Sequence, residues 1–254
     1  RANGSGETAR GGGIYNNGAS SNVANCTFSG NSATFGGGLY NGSVSPTVTG
    51  CTFTGNSATY GGGMCNDAAS PEVTSCAFVG NSAGTWGGGM MNFTSSSPVV
   101  TNSVFRGNTA GSFGGGVVDM SSSPLFRNCT FSGNSATGSF ASGGGVSNHS
   151  SSHATLVNCI LWGNTSTLSY AEIYNDNSTS AVTYSIVAGG YSGEGNLSSD
   201  PLFVSATNLR LQDGSPDIDV GSNDAVPASI TADLDGNTRI GDGDNDGTAT
   251  VDMG

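Results

Sequence analysis

The chain has 254 residues, of which 43 are glycine and only 9% are charged, and its formal net charge is −12. A chain this acidic, whose only Lys or Arg residues are six arginines, is a poor partner for nucleic acid and for anionic membrane surfaces. No apolar run approaches the length that spans a bilayer.

The first element along the chain is a tri-glycine that recurs six times, at intervals of 25, 25, 26, 27 and 29 residues. A period in this range predicts one structural unit that is copied and stacked. A phosphate-binding loop is the alternative, but no copy continues with the Gly-Lys-Ser/Thr ending of such loops. We therefore predict corners at which successive backbones approach closely. The six copies begin at Gly11, Gly36, Gly61, Gly87, Gly114 and Gly143.

The other elements of the repeat keep the same period. An apolar segment ending in Asn or Asp follows each tri-glycine, and Ile173–Asn175 keeps this register after the glycines are lost. A column of Val, Phe or Leu comes next, and then a six-residue block of the type Cys26–Asn31. We predict three short strands per repeat, joined by turns, because no segment has a helical period. Asn, Gly or Ser precedes each block and predicts a left-handed corner, whose asparagines could hydrogen-bond along the column.

These elements predict an all-β fold, a right-handed parallel β-helix of about seven to eight coils over residues 1–187. About 25 residues suffice for one three-sided lap, and laps stack at roughly 4.8 Å. An antiparallel sandwich is the rival, but it does not explain why equivalent residues recur once per lap. Residues 188–254 are predicted to form a last irregular coil and an acidic cap.

Five cysteines share one repeat position, and Ser103 fills the vacant place. A disulfide or metal column is one interpretation. A stack of small buried side chains is the favoured one, because free cysteine buries well and no metal-ligand spacing occurs. Cys65 is predicted to lie on the strand face opposite Met64. The five column members are Cys26, Cys51, Cys76, Cys129 and Cys159.

A lone aromatic residue precedes most tri-glycines. Such a column could be a platform on which sugars stack, or a stack that covers the loop edge, and the second is commoner for aromatics fixed by a repeat. The candidates for carbohydrate binding are Phe35, Tyr60, Trp86 and Phe113.

Catalysis on this fold would most often mean polysaccharide cleavage, by a base acting next to a carboxylate or by paired carboxylates. The first 193 residues hold only six acidic residues. Asp67 and Asp119 occupy near-equivalent repeat positions two laps apart, and His149 and His153 have no obvious partner. An enzyme, whether lyase or hydrolase, is therefore the less favoured class, and we assign no catalytic residue.

The strongest local motif lies in the acidic tail, where Asp242, Asp244 and Asp246 alternate before Gly247. This spacing matches the first half of an EF-hand-type loop, so it predicts calcium. The other predicted metal ligands are Thr248, through its carbonyl, Asp252, which would replace the missing twelfth-position glutamate, and the preceding pair Asp233 and Asp235.

Two resemblances cover nearly the whole chain. The Gly-Gly-Gly-Ile/Leu/Met and Phe-Xaa-Xaa-Asn elements (Phe28 with Asn31, for example) resemble the repeats of chlamydial polymorphic outer-membrane proteins, which are surface passengers and adhesins. The tail motifs Asp200–Phe203, Leu209–Pro216 and Val251–Gly254 resemble the C-terminal end of secreted bacterial β-helix proteins of the "choice-of-anchor" type. The resemblance implies the fold and export, and says little about activity.

The sequence thus predicts a non-catalytic extracellular structural or adhesive protein, secreted or at the cell surface, which could be a subunit of a larger fibre. Its open ends would present unpaired strand edges, which favour end-to-end self-association. A cell-surface or polysaccharide ligand is expected, without nucleic acid and without a membrane-spanning segment. The alternative is a polysaccharide-active enzyme or a carbohydrate-binding module on the same fold.

Overall fold

The computed structural model describes residues 9–168, 170–243 and 246–254. Their main body is a parallel β-helix of about seven laps, in which each strand pairs in register with the equivalent strand one repeat later. The predicted fold class is confirmed.

Each of the first six laps contains four strands, so the prediction of three was wrong. The additional strand runs from the asparagine of the six-residue block towards the tri-glycine, as in Ser57–Tyr60. Its residues are mostly Ser, Ala and Thr, so no apolar run marks it in the sequence. Small side chains are enough here, because Ala83, Ala110 and Ala136 are buried at this position.

The four sheets of the helix are named by the order in which the chain enters them. The first sheet contains Ile14–Asn17, Leu39–Gly42, Met64–Asp67, Met90–Phe93, Val117–Met120, Val146–His149 and Ile173–Asp176. The second contains Val23–Ala24, Thr47–Thr49, Glu72–Thr74, Val99–Thr101, Leu125–Arg127, His153–Val157 and Thr179–Thr183. The third contains Thr27–Ser29, Thr52–Thr54, Ala77–Val79, Val104–Arg106, Thr130–Ser132, Ile160–Trp162 and Ile186–Val187. The fourth contains Ser32–Phe35, Ser57–Tyr60, Ser82–Trp86, Thr109–Ala110, Ser135–Ala136 and Thr165–Ser166.

The tri-glycines form the corner between the fourth and first sheets, as predicted. A Cβ on Gly88, the middle glycine of its copy, would lie 2.4 Å from the carbonyl oxygen of Gly115 in the next lap. The residues before the six-residue blocks have the predicted left-handed backbone, with φ of 53° at Asn25 and 52° at Ser75. The predicted side-chain hydrogen bond forms between two of these corners, where Asn158 donates to Asn128 at 3.0 Å.

The interior is a set of vertical stacks. Five phenylalanine rings of the third sheet lie 4.6–4.8 Å apart with interplanar angles of at most 5°. Burying one such ring contributes roughly 1.5–3 kcal/mol. Because parallel in-register pairing puts equal residues one lap apart, a single sequence motif generates the whole stack. The rings are Phe28, Phe53, Phe78, Phe105 and Phe131.

Two buried asparagine ladders run beside these stacks. The first asparagine ladder lies in the first sheet and contains Asn16, Asn41, Asn66, Asn92, Asp119, Asn148 and Asn175. The second follows the six-residue blocks and contains Asn31, Asn56, Asn81, Asn108, Asn134 and Asn164. In both, amides donate to the oxygen of the next lap, and this satisfies polar side chains inside the core at every step except that between Asp119 and Asn148.

The side chains of the cysteine column form hydrogen bonds along the axis. Cys76 Sγ donates to the carbonyl of Thr74 and accepts the backbone N–H of Cys51, at 3.3 and 3.4 Å. Ser103 Oγ does the same for the next lap, accepting from Cys76 N at 3.1 Å. All six cysteines are free thiols, and Cys65 lies opposite Met64 as predicted.

Glu172 stands where the third glycine of a seventh tri-glycine would be, because its carbonyl accepts the N–H of Val146. Its carboxylate ends the second asparagine ladder: Asn164 N donates to Oε1 at 3.2 Å, and Asn164 Nδ2 donates to Oε2. Burial raises the pKa of Glu172 to about 7. The loss of the tri-glycine therefore coincides with the end of this ladder.

The tail first extends the helix and then turns along its side. Leu197 bridges to Ile186, which gives an irregular final lap. Later residues pack on the outer face of the third sheet, where Ile160, Ile186 and Met253 form a buried cluster. The described residues of this part form two antiparallel strand pairs and one 3-10 helix: Phe203–Ser205 with Asn208–Leu211, Ile240–Gly241 with Thr250–Val251, and Asn223–Ala225.

Candidate functional site

The aromatic residues before the tri-glycines form a column on the outside of the helix. Ring centroids of Phe35 and Tyr60 are 4.9 Å apart and those of Tyr60 and Trp86 are 5.1 Å apart. The column, which ends with Phe113, covers a buried cluster on the outward face of the first sheet. That cluster consists of Tyr40, Cys65, Met91 and Val118.

The tri-glycine allows the aromatic column to cover this buried cluster. The Cβ that Gly61 lacks would lie 2.9 Å from the Cβ of Cys65, and that of Gly87 would lie 3.0 Å from the Cβ of Met91. Only glycine lets the corner fold this closely over the outward side chain. Phe140, which the repeat placed next in the column, is instead exposed, and Ser142 takes the register position beside Phe113.

The column also forms one wall of an axial groove. Phe93 and Met120 line the groove together with Tyr60 and Trp86, and its volume is about 460 Å³. Because Phe35 and Tyr60 stack on one another at an interplanar angle of 23°, their faces are occupied along the axis. The groove therefore presents mainly ring edges and methionine side chains, and it runs in the direction of the coil.

Arg10 begins the column at its N-terminal end. It is the register partner of Phe35, and its guanidinium carbon lies 5.0 Å from the ring centroid of Tyr40. The Tyr40 hydroxyl donates to Asp67 at 2.7 Å, and burial together with this carboxylate raises the pKa of Tyr40. A cation over aromatic faces stabilises by about 0.5–1 kcal/mol at an exposed site.

A Ser-His-Asp arrangement lies towards the other end. Ser147 Oγ is 2.8 Å from His149 Nε2, and His149 Nδ1 is 3.5 Å from Asp176 Oδ2. The expectation that His149 lacks a partner was therefore wrong. The signal was present in the repeat, because His149 and Asp176 both follow the asparagine of the first ladder and so lie side by side.

This arrangement is not poised for nucleophilic attack. Ser147 has no exposed surface, so a substrate carbon cannot reach its Oγ in this conformation. Burial lowers the pKa of His149, and Asp176 partly offsets this effect. His149 is held by Ser147 on one side and Asp176 on the other, and its ring centroid is 4.5 Å from that of Phe113.

The two carboxylates considered for polysaccharide cleavage do not share a groove. Asp119 points into the core as a member of the first ladder, and Asp67 is one strand position later, on the outward face. Successive strand residues point to opposite faces, so a difference of one position separates them completely.

The predicted metal ligands of the tail have mixed surroundings. Asp233 accepts N–H groups from Asp235 and Asn237, and Asp235 forms a bidentate pair with Arg210 at 2.6 and 2.7 Å. Asp242 accepts from Gly247 N, as a loop carboxylate does.

Of the remaining predicted ligands, Asp246 accepts from Thr248 N, and Asp252 accepts from Asp219 N. Asp244 lies outside the described residues. Within the described ranges, no three His, Cys, Asp or Glu side chains come together as a metal-binding group.

Fold and site together define a parallel β-helix protein whose outer aromatic groove follows the coil axis. Residues 3–161 match the family described as "Right handed beta helix region", and the chain belongs to that family. No curated protein and no solved structure matches it. Among the residues described, no helix has the length and hydropathy needed to cross a bilayer.

Proposed function

We propose that this chain is a non-catalytic structural and adhesive element that works outside the cell. The observation that carries the proposal is the structural use of its carboxylates. Asp119 belongs to a core ladder, Glu172 ends the other, Asp67 holds Tyr40, and Asp176 holds His149. These four acidic groups, of the kind that a glycosidase would direct at a substrate, are here engaged with neighbouring side chains.

The adhesive part of the proposal rests on the axial groove. Its lining of ring edges from Phe93 and Trp86 with Met91 and Met120 suits an extended ligand that runs along several laps. Methionine adapts to irregular partners, and aromatic residues supply most of the energy of many interfaces. We expect a cell-surface or polysaccharide chain as the ligand.

A retention assay tests this function. Beads coated with the chain are passed over immobilised glycans and over whole cells, and the force needed for release is compared among variants. Phe93→Ser removes a half-buried groove wall, whereas Tyr15→Ser removes an exposed ring of the same sheet outside the groove. We expect Phe93→Ser alone to lose retention. Equal retention of both variants, or release of sugar products from a polysaccharide panel, would count against the proposal.

Export and fibre formation belong to the same proposal. Fibre formation would follow if the strand edges at the ends of the helix add to further copies. Surface labelling of the producing cells tests the location. Sedimentation and electron microscopy at high concentration test the assembly, and uniform monomers without filaments would exclude it.

A further inference from the structure

A second concave site lies on the other side of the molecule, under the hairpin Phe203–Leu211. The hairpin stands over the outer face of the third sheet and leaves a cavity on each side, of about 510 and 560 Å³. Arg106 and Thr207 line both cavities. Volumes in this range are typical of sites for small ligands.

Arg106 is the cation of this site that has no partner. Its register neighbours are Val79 and Ser132, and among the described residues its side chain has no ion pair or hydrogen bond. Arg210 and Arg239 differ, because the first pairs with Asp235 and the second donates to the carbonyls of Asp252 and Gly254. A half-buried guanidinium without an anion, in a chain of net charge −12, leaves its hydrogen-bonding capacity for a ligand.

The larger cavity surrounds Arg106 with groups suited to a sugar ring. Gly107 and Gly133 form part of its floor, and a Cβ at either position would meet no atom within 4 Å. Trp162 and Phe203 are walls, and Asp200 is an exposed carboxylate that can accept hydroxyl donors. Aromatic walls pack on the apolar faces of ligands, and a few polar groups fix their orientation.

We propose that this cavity binds a short glycan end that carries a single carboxylate. The carboxylate pairs with Arg106 in the bidentate geometry that a guanidinium favours, and the ring lies against Trp162. A long polyanion is disfavoured, because the net charge of −12 repels it as a whole. The site is distinct from the axial groove, so it stands or falls separately from the adhesive function proposed above.

The chain offers a direct readout, since it has two tryptophans, Trp86 and Trp162. In a Trp86→Phe background, Trp162 emission is titrated with methyl β-glucuronide and with methyl β-glucoside as the neutral counterpart. We expect a saturable change with the glucuronide and at least about tenfold weaker binding of the glucoside, because the ion pair is charge-assisted. Calorimetry on the parent chain checks that the background substitution is neutral.

Arg106→Gln should weaken glucuronide binding by about tenfold or more and leave glucoside binding unchanged. Arg127→Gln is the matched control, because Arg127 is also half-buried on a strand but lines neither cavity. Melting curves verify that both variants fold. Unchanged affinity in Arg106→Gln, equal binding of the two sugars, or no saturable response of Trp162 would overturn the proposal.

Discussion

Asp119 and Asn148 are register partners in the first sheet, and each leaves a buried oxygen without a donor. Asp119 Oδ1 accepts from Asn92 at 2.7 Å, whereas among the described residues its Oδ2 and Asn148 Oδ1 have no hydrogen-bond partner. At the equivalent steps from Asn16 to Asn92, the side-chain amide of each asparagine donates to the side-chain oxygen of the next lap. A proton on Asp119 would supply the missing donor, and burial raises the pKa of this carboxyl to about 7.

Asp119→Asn should therefore stabilise the protein above neutral pH. A raised pKa in the folded state means that stability falls as pH rises from about 4 to about 7, with a cost of about 4 kcal/mol once the group is ionised. Near pH 4 the two chains should be equally stable. Urea unfolding at pH 4 and pH 8 measures the difference.

Asn66→Asp is the reciprocal variant, because Asn66 lies between two ladder asparagines. It should acquire the same loss of stability with rising pH. A parent chain whose stability is independent of pH between 4 and 8 would show that the Asp119 proton has no such role.

In the cysteine column, we predict that stability depends on the hydrogen bonds of each side chain more than on its sulfur atom. Cys76→Ser should change stability by less than about 1 kcal/mol, because Ser103 already performs the same two bonds in the next lap. Cys76→Ala leaves the buried N–H of Cys51 without its acceptor, and should lower the free energy of unfolding by about 1–3 kcal/mol. Thermal unfolding of the three chains decides the point, and equal losses in both variants would contradict it.

The sequence was enough to predict the coil, the corners and the stacks that follow from register, because each has a residue type that marks it once per lap. The fourth strand was not predicted because Ser32–Phe35 and its equivalents contain no apolar run. The Ser147–His149–Asp176 contact was not predicted because it combines residues of two laps, and histidine occurs in only one lap of its column. Periodicity reveals what laps share, whereas this cluster, Glu172 and Arg106 are departures from the repeat.

The corner glycines should differ sharply in their tolerance of side chains. Gly88→Ala places a Cβ 2.4 Å from Gly115 O and 2.5 Å from Thr109 O, both backbone atoms, so it should prevent stacking or destabilise by several kcal/mol. Gly55 has φ of 60° with open space around it, and asparagine tolerates this conformation. Gly55→Asn should therefore cost less than about 1 kcal/mol. Circular dichroism and unfolding curves compare them, and a Gly88→Ala variant as stable as the parent would refute the close-approach argument.

His149 should titrate below the ordinary range of histidine, since burial lowers its pKa. A lowered pKa means that stability is lost as pH falls below about 6.5, where the unfolded chain takes up the proton first. Asp176→Asn removes the carboxylate that raises the pKa, so it should lower the pKa further and steepen this acid loss. Proton NMR of the two histidines measures it, with exposed His153 as the reference in the same spectrum. A His149 pKa that is unchanged in the variant would mean that the 3.5 Å contact does not persist in solution.

Calcium remains a prediction for the loop that begins at Asp242. Asp242 and Asp246 accept the N–H groups of Gly247 and Thr248, and their spacing matches the first half of a calcium loop. Calcium should raise the melting temperature of the parent chain, by an amount that grows with ion concentration relative to Kd. Asp242→Asn should abolish the rise. Asp213→Asn is the control, because it removes an exposed charge of the same tail outside the loop. If a chelator leaves the parent unchanged, or if both variants respond to calcium equally, the loop is a solvated acidic turn.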